Sequence, residues 1–242
     1  MHTIDTFLFD LDGTLLPMPS QEQFIDVYAN TLKEKLSPYG DTKILTNAVL
    51  SGIKAMIDND GSMTNEKRFW SVFCKISGKK DRDLLPVFLD YYKNEFQLAR
   101  SATSVNPLAK ECIGLLKEKG YCLVLATNPL FPKVATYSRI RWANLSANDF
   151  IHITTYENSS FCKPNLSYYE EILRMINKSP DQCIMVGNDV KEDMCANSLG
   201  MDTFLLKDNI INKEEADITR YKQGGFKELL EFIKNLDKEL AF

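Results

Sequence analysis

The stretch Phe7-Leu8-Phe9-Asp10-Leu11-Asp12-Gly13-Thr14-Leu15-Leu16 decides how the rest of the chain is read. An apolar run ending in Asp-x-Asp-Gly-Thr is the pattern of a buried strand that delivers two carboxylates at its C-terminal end, where the backbone turns at Gly13. Alternate residues of an extended strand point the same way, and the turn at Gly13 lets Asp10 and Asp12 diverge into separate roles. Two acids this close are costly unless a cation lies between them or one keeps its proton.

Outward from that stretch, five short apolar segments read as buried parallel strands: residues 4–9, 122–126, 151–154, 183–186 and 203–206. Helical stretches separate them. The clearest runs from Asn106, a capping residue, through Pro107 in the first turn to Gly120 at the C′ position, with Leu108, Cys112, Leu115 and Leu116 as its apolar stripe. Another starts near Pro164 and presents Tyr168, Ile172, Leu173 and Ile176; the last runs from Phe226 to about Leu240. This alternation predicts an α/β fold with a doubly wound parallel sheet, whose ligand sits beyond the carboxyl ends of the strands. The region from Pro17 to Arg100 breaks the alternation and reads as four helices, over 21–36, 43–57, 65–76 and 83–96. The expected organisation is therefore a core made of residues 1–16 and 101–242 and a small all-helical domain over 17–100.

At 242 residues with 44% hydrophobic content the chain can bury a sizeable core. A formal charge of −4 offers no general attraction to nucleic acid or to an anionic membrane. Six cysteines form no Cys-x-x-Cys pair, and the two histidines, His2 and His152, lack ligand spacing, which argues against zinc and for a reducing compartment. No signal-like or membrane-length apolar run is found, so a cytoplasmic location is expected.

Three further motifs follow the first in order: Leu125-Ala126-Thr127-Asn128-Pro129, Cys162-Lys163-Pro164-Asn165, and Met185-Val186-Gly187-Asn188-Asp189 with Asp193 beyond. Each falls just after a predicted strand end or at a helix start. Together the four resemble the motif set of the haloacid dehalogenase-like (HAD) hydrolase superfamily, over most of the chain, and an all-helical insert after motif one resembles the cap domain of one of its subclasses. The resemblance implies a Rossmann-like HAD core and a Mg2+-dependent phosphatase acting on a small phosphorylated metabolite. In that reading Asp10 is the nucleophile that forms an aspartyl-phosphate. Asp12 protonates the leaving oxygen and then deprotonates water, while its main-chain carbonyl ligates Mg2+. Thr127 and Asn128 bind phosphate oxygens, and Lys163 joins them. Asp10, Asp12 and Asp189 hold the metal.

A charge count shows why a cation belongs there. Asp10, Asp12, Asp189 and Asp193 oppose a single Lys163, and each like pair at about 4 Å costs roughly 4 kcal/mol at an effective dielectric of 20. Hard oxygen donors select Mg2+ over transition metals. The fourth motif departs from the family pattern, because Gly187 is followed by Asn188 and only then by Asp189. Counting forward from Gly187 puts Asn188 in the ligand slot. Counting back from Asp193 favours Asp189, preferred here because a carboxylate binds Mg2+ better than an amide. Arg139, Arg141 and Trp142 read as packing or surface residues of an amphipathic helix. Met18, Gln21 and Phe24 lie where they could line the entrance to the site, while Lys67, Arg68 and Trp70 read more readily as ordinary residues of the insert than as contacts to a substrate. The rival activities are a phosphomutase on the same scaffold and a non-catalytic phospho-ligand binding module. Dehalogenation fits less well, since family members doing that chemistry lack the second acid that Asp12 provides.

Overall fold

Six parallel strands form one sheet, in the order β3-β2-β1-β4-β5-β6. They are β1 (Thr6–Phe9), β2 (Cys122–Leu125), β3 (His152–Ile153), β4 (Cys183–Gly187), β5 (Asp202–Leu206) and β6 (Lys222–Gly224). The computed structural model describes residues 4–236. Strand β1 lies at the centre, with Phe9 level with Leu125 of β2 on one side and Val186 of β4 on the other. The chain leaves β1 toward β2 and crosses back later to β4, so the switch point of the sheet falls directly beyond Phe9.

The strands are continuous apolar runs because both faces of the sheet are covered. Phe7 and Phe9 share one cluster with Ala109, Cys112, Ile113 and Leu116 of α5 (Pro107–Glu118) and with Leu229 and Ile233 of α8 (Phe226–Lys234). Leu8 points the other way, into a cluster with Val124, Met185 and Tyr168, Ile172 and Leu173 of α7 (Leu166–Ile176). The cap of α5 is as expected: the Asn106 side chain accepts from the Leu108 N–H at 3.0 Å, and Gly120 takes φ 74°. Its buried face is centred one position further on than the apolar stripe implied, with Ala109 and Ile113 inside and Leu108 and Leu115 only partly covered. The last helix ends at Lys234, where a long extension to Leu240 was expected; the residues past 236 lie outside those described. Strand β6 corrects the count of five strands. Its Lys-Gln-Gly sequence carries no apolar pattern and pairs only with β5 at the sheet edge.

Between β1 and α5 the chain forms α1 (Gln21–Leu36), α2 (Thr42–Ile57), α3 (Asn65–Ser77) and α4 (Asp81–Lys93), followed by a 3-10 segment over Glu95–Ala102 where the fourth helix was expected to continue. Ser20, Asp41 and Thr64 cap the first three with side-chain oxygens. Two aromatic groups hold these helices. Phe69, Trp70, Phe73 and Phe88 pack α3 on α4 with ring centroids 5.3–6.0 Å apart. Tyr28, Tyr92 and Phe96 close on Phe131, which belongs to the loop after β2, at 5.5, 6.4 and 5.8 Å. Each such pair adds about 0.5–1.5 kcal/mol beyond its buried area, so the loop that follows β2 is fixed against the insert through Phe131. Asn65 adds a polar tie, its main-chain N–H donating to the Ser159 carbonyl at 2.8 Å.

Candidate active site

The turn after β1 is built on Gly13, whose φ of 83° suits glycine and whose hydrogen faces the Asn188 side chain; a Cβ there would lie 2.5 Å from Asn188 Nδ2. Thr14 Oγ1 donates to Asn188 Oδ1 at 2.9 Å, and Asn188 Nδ2 donates to the Asn209 carbonyl at 2.6 Å. Asn188 thus pins the first motif, the end of β4 and the loop after β5 together. Main-chain bonds from Ile211 N–H to the Asn188 carbonyl and from Val190 N–H to the Ile211 carbonyl reinforce that junction.

Lys163 lies beneath the turn. Its ammonium donates to Asp10 Oδ1 at 2.9 Å and to Asp193 Oδ1 at 2.6 Å, with only 2% of Lys163 and 1% of Asp193 exposed. Burial alone would strip the lysine of its proton, but Asp10 and Asp193 outweigh it and hold the ammonium well above the ordinary lysine value. Asp193 is itself raised by burial, against the pull of Lys163. Its Oδ2 accepts the Asp189 N–H at 2.9 Å and leaves no room for a side chain at position 187, where a Cβ would sit 2.1 Å away. Gly187 is therefore a packing requirement of the buried acid.

Asp12 faces a different cation. Arg139, on α6 (Lys133–Trp142), is fully buried and donates through Nη1 to Asp12 Oδ2. The guanidinium also lies 4.4 Å above the Phe131 ring and reaches Thr136 Oγ1 at 3.3 Å. Burial raises the Asp12 carboxyl above its usual range, with Arg139 opposing and the neighbouring Asp10 adding to the rise. Above these groups is a cavity of about 240 Å³ lined by Asp10, Asp12, Gln21, Thr127, Asn128, Phe131, Asn188, Asp189, Glu192 and Lys213 among others. Asn128, Leu130, Asp189, Glu192, Ile211 and Lys213 also line an adjoining cavity of about 470 Å³, to which the insert contributes Ile57.

A sequence model of haloacid dehalogenase-like hydrolases matches residues 4–196. The chain belongs to that family. A glyceraldehyde 3-phosphate phosphatase from Methanocaldococcus jannaschii is 24% identical over 243 residues, spanning 98% of this chain and all of that one. Among solved structures, a HAD phosphatase from Thermococcus onnurineus superposes with a TM-score of 0.60 at 20% identity, covering 95% of this chain and 98% of its own. A magnesium-bound putative HAD hydrolase from Bacillus subtilis gives 0.55 at 20% identity, over 96% and 99%. The doubly wound α/β fold expected from the motifs is thus the fold of HAD hydrolases.

Within the HAD frame the structure brings Asp10, Asp12, Thr127, Asn128, Asn188 and Asp189 to one cavity, with Lys163 bonded to Asp10 below it. Gln21 lines that cavity, whereas Met18 and Phe24 are buried, Phe24 against Phe96 and Phe131. Lys67 and Trp70 line a separate hollow of the insert, and Arg68 is spent on Asn59, Asp60 and Ser62. None of these three reaches the acids. Arg139, expected as a packing or surface residue, is buried against Phe131 and also donates to Asp12, a contact the sequence reading did not foresee. Its signal in the sequence is its place on a helix stripe, four residues after Ala135 and three before Trp142, both buried.

The donor set suits a hard divalent ion. Among the described residues no three His, Cys, Asp or Glu side chains converge to hold a metal by themselves. Asp10 and Asp189 do line one cavity, and in each the Oδ2 oxygen accepts no hydrogen bond among the described residues; Asp189 Oδ1 takes the N–H groups of Lys191 and Glu192. Two carboxylates, completed by main-chain carbonyl, water and substrate phosphate, are the usual holding for Mg2+.

Proposed function

We propose that this HAD hydrolase is a Mg2+-dependent phosphatase that hydrolyses a small phosphorylated metabolite through an aspartyl-phosphate on Asp10. The observation that carries the reading is the buried Lys163 bridging Asp10 and Asp193 while the second oxygen of Asp10 stays unbonded in a cavity shared with Asp12. A carboxylate so neutralised on one side can approach an anionic phosphate on the other. Attack by Asp10 on phosphorus breaks the ester bond, and Asp12, raised by burial, gives its proton to the leaving oxygen. Water then loses a proton to Asp12 and displaces the phosphate from Asp10. Thr127 and Asn128 at the end of β2 and Lys163 hold the phosphate oxygens. Asp10, the Asp12 carbonyl and Asp189 would hold the Mg2+, which neutralises the repulsion between nucleophile and substrate. Residues 17–100 act as a cap, bringing Gln21 and Ile57 over the cleft to select the substrate.

The test is phosphate release from a panel of phosphorylated metabolites that includes glyceraldehyde 3-phosphate, the substrate in the name of the M. jannaschii relative. Hydrolysis is expected with Mg2+, loss of activity with excess EDTA, and poor rescue by Ca2+, which prefers a larger shell. Release from no ester with Mg2+ present would contradict the phosphatase reading, and full activity in EDTA would remove the metal from it.

The choice of Asp189 over Asn188 as ligand has its own test, because both polar ends of the Asn188 amide are already engaged. Asp189→Ala should raise the half-saturating Mg2+ concentration by about 100-fold or more, beyond the 10- to 100-fold typical of an outer-shell loss. Asn188→Ala should instead lower stability by about 1–3 kcal/mol by orphaning Thr14 and Asn209, with the smaller effect on Mg2+. The reverse ranking in a Mg2+ titration would move the ligand to Asn188.

A further inference from the structure

The loop between β5 and β6 forms one wall of the larger cavity through Ile211, Lys213 and Arg220. It is fastened to the end of β4. Ile211 N–H donates to the Asn188 carbonyl at 2.8 Å, Val190 N–H to the Ile211 carbonyl at 2.9 Å, and Asn188 Nδ2 to the Asn209 carbonyl at 2.6 Å. One residue further on, the Asn212 side chain closes the chain on itself, accepting the Ala216 N–H and donating to the Ala216 carbonyl, both at 2.9 Å. Lys213 sits inside that closed turn, so its place is set from the end of β4. It lines both the cavity of about 240 Å³ that holds Asp10 and the adjoining one of about 470 Å³.

The other cations lining these cavities are engaged. Lys163 lies between Asp10 and Asp193. Lys191 donates to Glu214 at 2.5 Å, and the Arg220 guanidinium lies 4.7 Å over the Tyr221 ring and donates to its hydroxyl. Lys213 is exposed, and its ammonium has no hydrogen bond or ion pair among the described residues. We propose that Lys213 binds a carboxylate at the far end of the substrate, so that the substrate is the phosphate ester of a hydroxy acid. The inference rests on the phosphatase reading above. With the phosphate on Asp10 in the smaller cavity, the rest of the ester extends past Lys213 into the larger one. No bond changes at that end; the ammonium binds and orients. A single ammonium suits a single negative charge. A second phosphate, carrying about −1.5 to −2, would face Asp189 and Glu192 on the same walls with too little positive charge to offset them.

3-Phosphoglycerate and glyceraldehyde 3-phosphate share a carbon skeleton and differ in a carboxylate against an aldehyde, so the ratio of their kcat/KM values reads this contact. The acid should be the better substrate of the wild-type protein. Lys213→Gln should lower the acid-to-aldehyde ratio about tenfold, the low end of what a hydrogen bond to a charged group is worth, with the loss on the acid lying in KM more than in kcat. Lys213→Glu, which sets like charges together, should lower the ratio further, and Lys213→Arg should keep most of it. The aldehyde as the better wild-type substrate, or a ratio unmoved in Lys213→Gln, would overturn the proposal. So would phosphate release from other esters with none from 3-phosphoglycerate. A wild-type protein that releases phosphate from no ester would instead overturn the phosphatase reading on which the proposal rests.

Discussion

Asp10→Asn should keep the fold and lose turnover by a factor on the order of 10⁴ to 10⁶, the scale seen when a covalent nucleophile is removed elsewhere. Asparagine fills the same volume at the end of β1, and the amide oxygen can still accept from Lys163, now 2.9 Å from Asp10 Oδ1. What it lacks is the charge and the nucleophilicity. Removing one carboxylate from beside Asp12 and Asp193 also relieves like-charge repulsion, so thermal stability should stay level or rise while activity disappears. That opposition separates a catalytic acid from a structural one. A folded variant retaining a tenth of the wild-type rate would take the nucleophile role away from Asp10.

Lys163→Met should be the most destabilising single change in the site. It removes the cation between two carboxylates and leaves Asp193, 1% exposed, as an uncompensated buried charge. Breaking a buried pair from one side costs about 3–5 kcal/mol, readable by denaturant titration. The loss should depend on pH, with a sign set by Asp193. Its carboxyl is already raised by burial from 3.8 to about 7 with the lysine present. A folded-state value above the unfolded one means that stability is present below the unfolded value and drains away as pH rises through the folded one. Without the lysine the folded value rises further, so the deficit against wild type should shrink as pH falls from alkaline toward about 7 and stay level below it. A variant as stable as wild type at neutral pH would show that Lys163 is not the counter-charge of Asp193.

Much of this candidate site is legible in the sequence, and for a physical reason. β1, β2 and β4 are continuous apolar runs because both faces are covered, so their ends, and the polar residues just beyond, stand out in the sequence. Asp10, Thr127 and Asp189 are all of that kind. Arg139 is not. A charged residue on a helix reads as solvated, and its burial depends on a carboxylate 127 positions away. Asn188 stood out as an irregular motif letter, but its part in tying Gly13, Thr14 and Asn209 together is set by distances that no spacing encodes. Strand β6 escaped because a short polar edge strand takes its conformation from its partner β5, not from its own pattern. Lys67, Arg68 and Trp70 show the converse: cation and aromatic chemistry at plausible positions, folded onto a face of the insert away from the acids.

In the proposed mechanism phosphorus passes covalently through Asp10. Acid quench of the Mg2+-loaded enzyme during turnover of its best ester, then borohydride reduction, converts an aspartyl-phosphate into homoserine, which peptide mass spectrometry locates. Homoserine is expected at position 10, dependent on substrate and on Mg2+. Reduction at Asp12 or Asp189 with Asp10 untouched, or an unmodified chain throughout turnover, would contradict it.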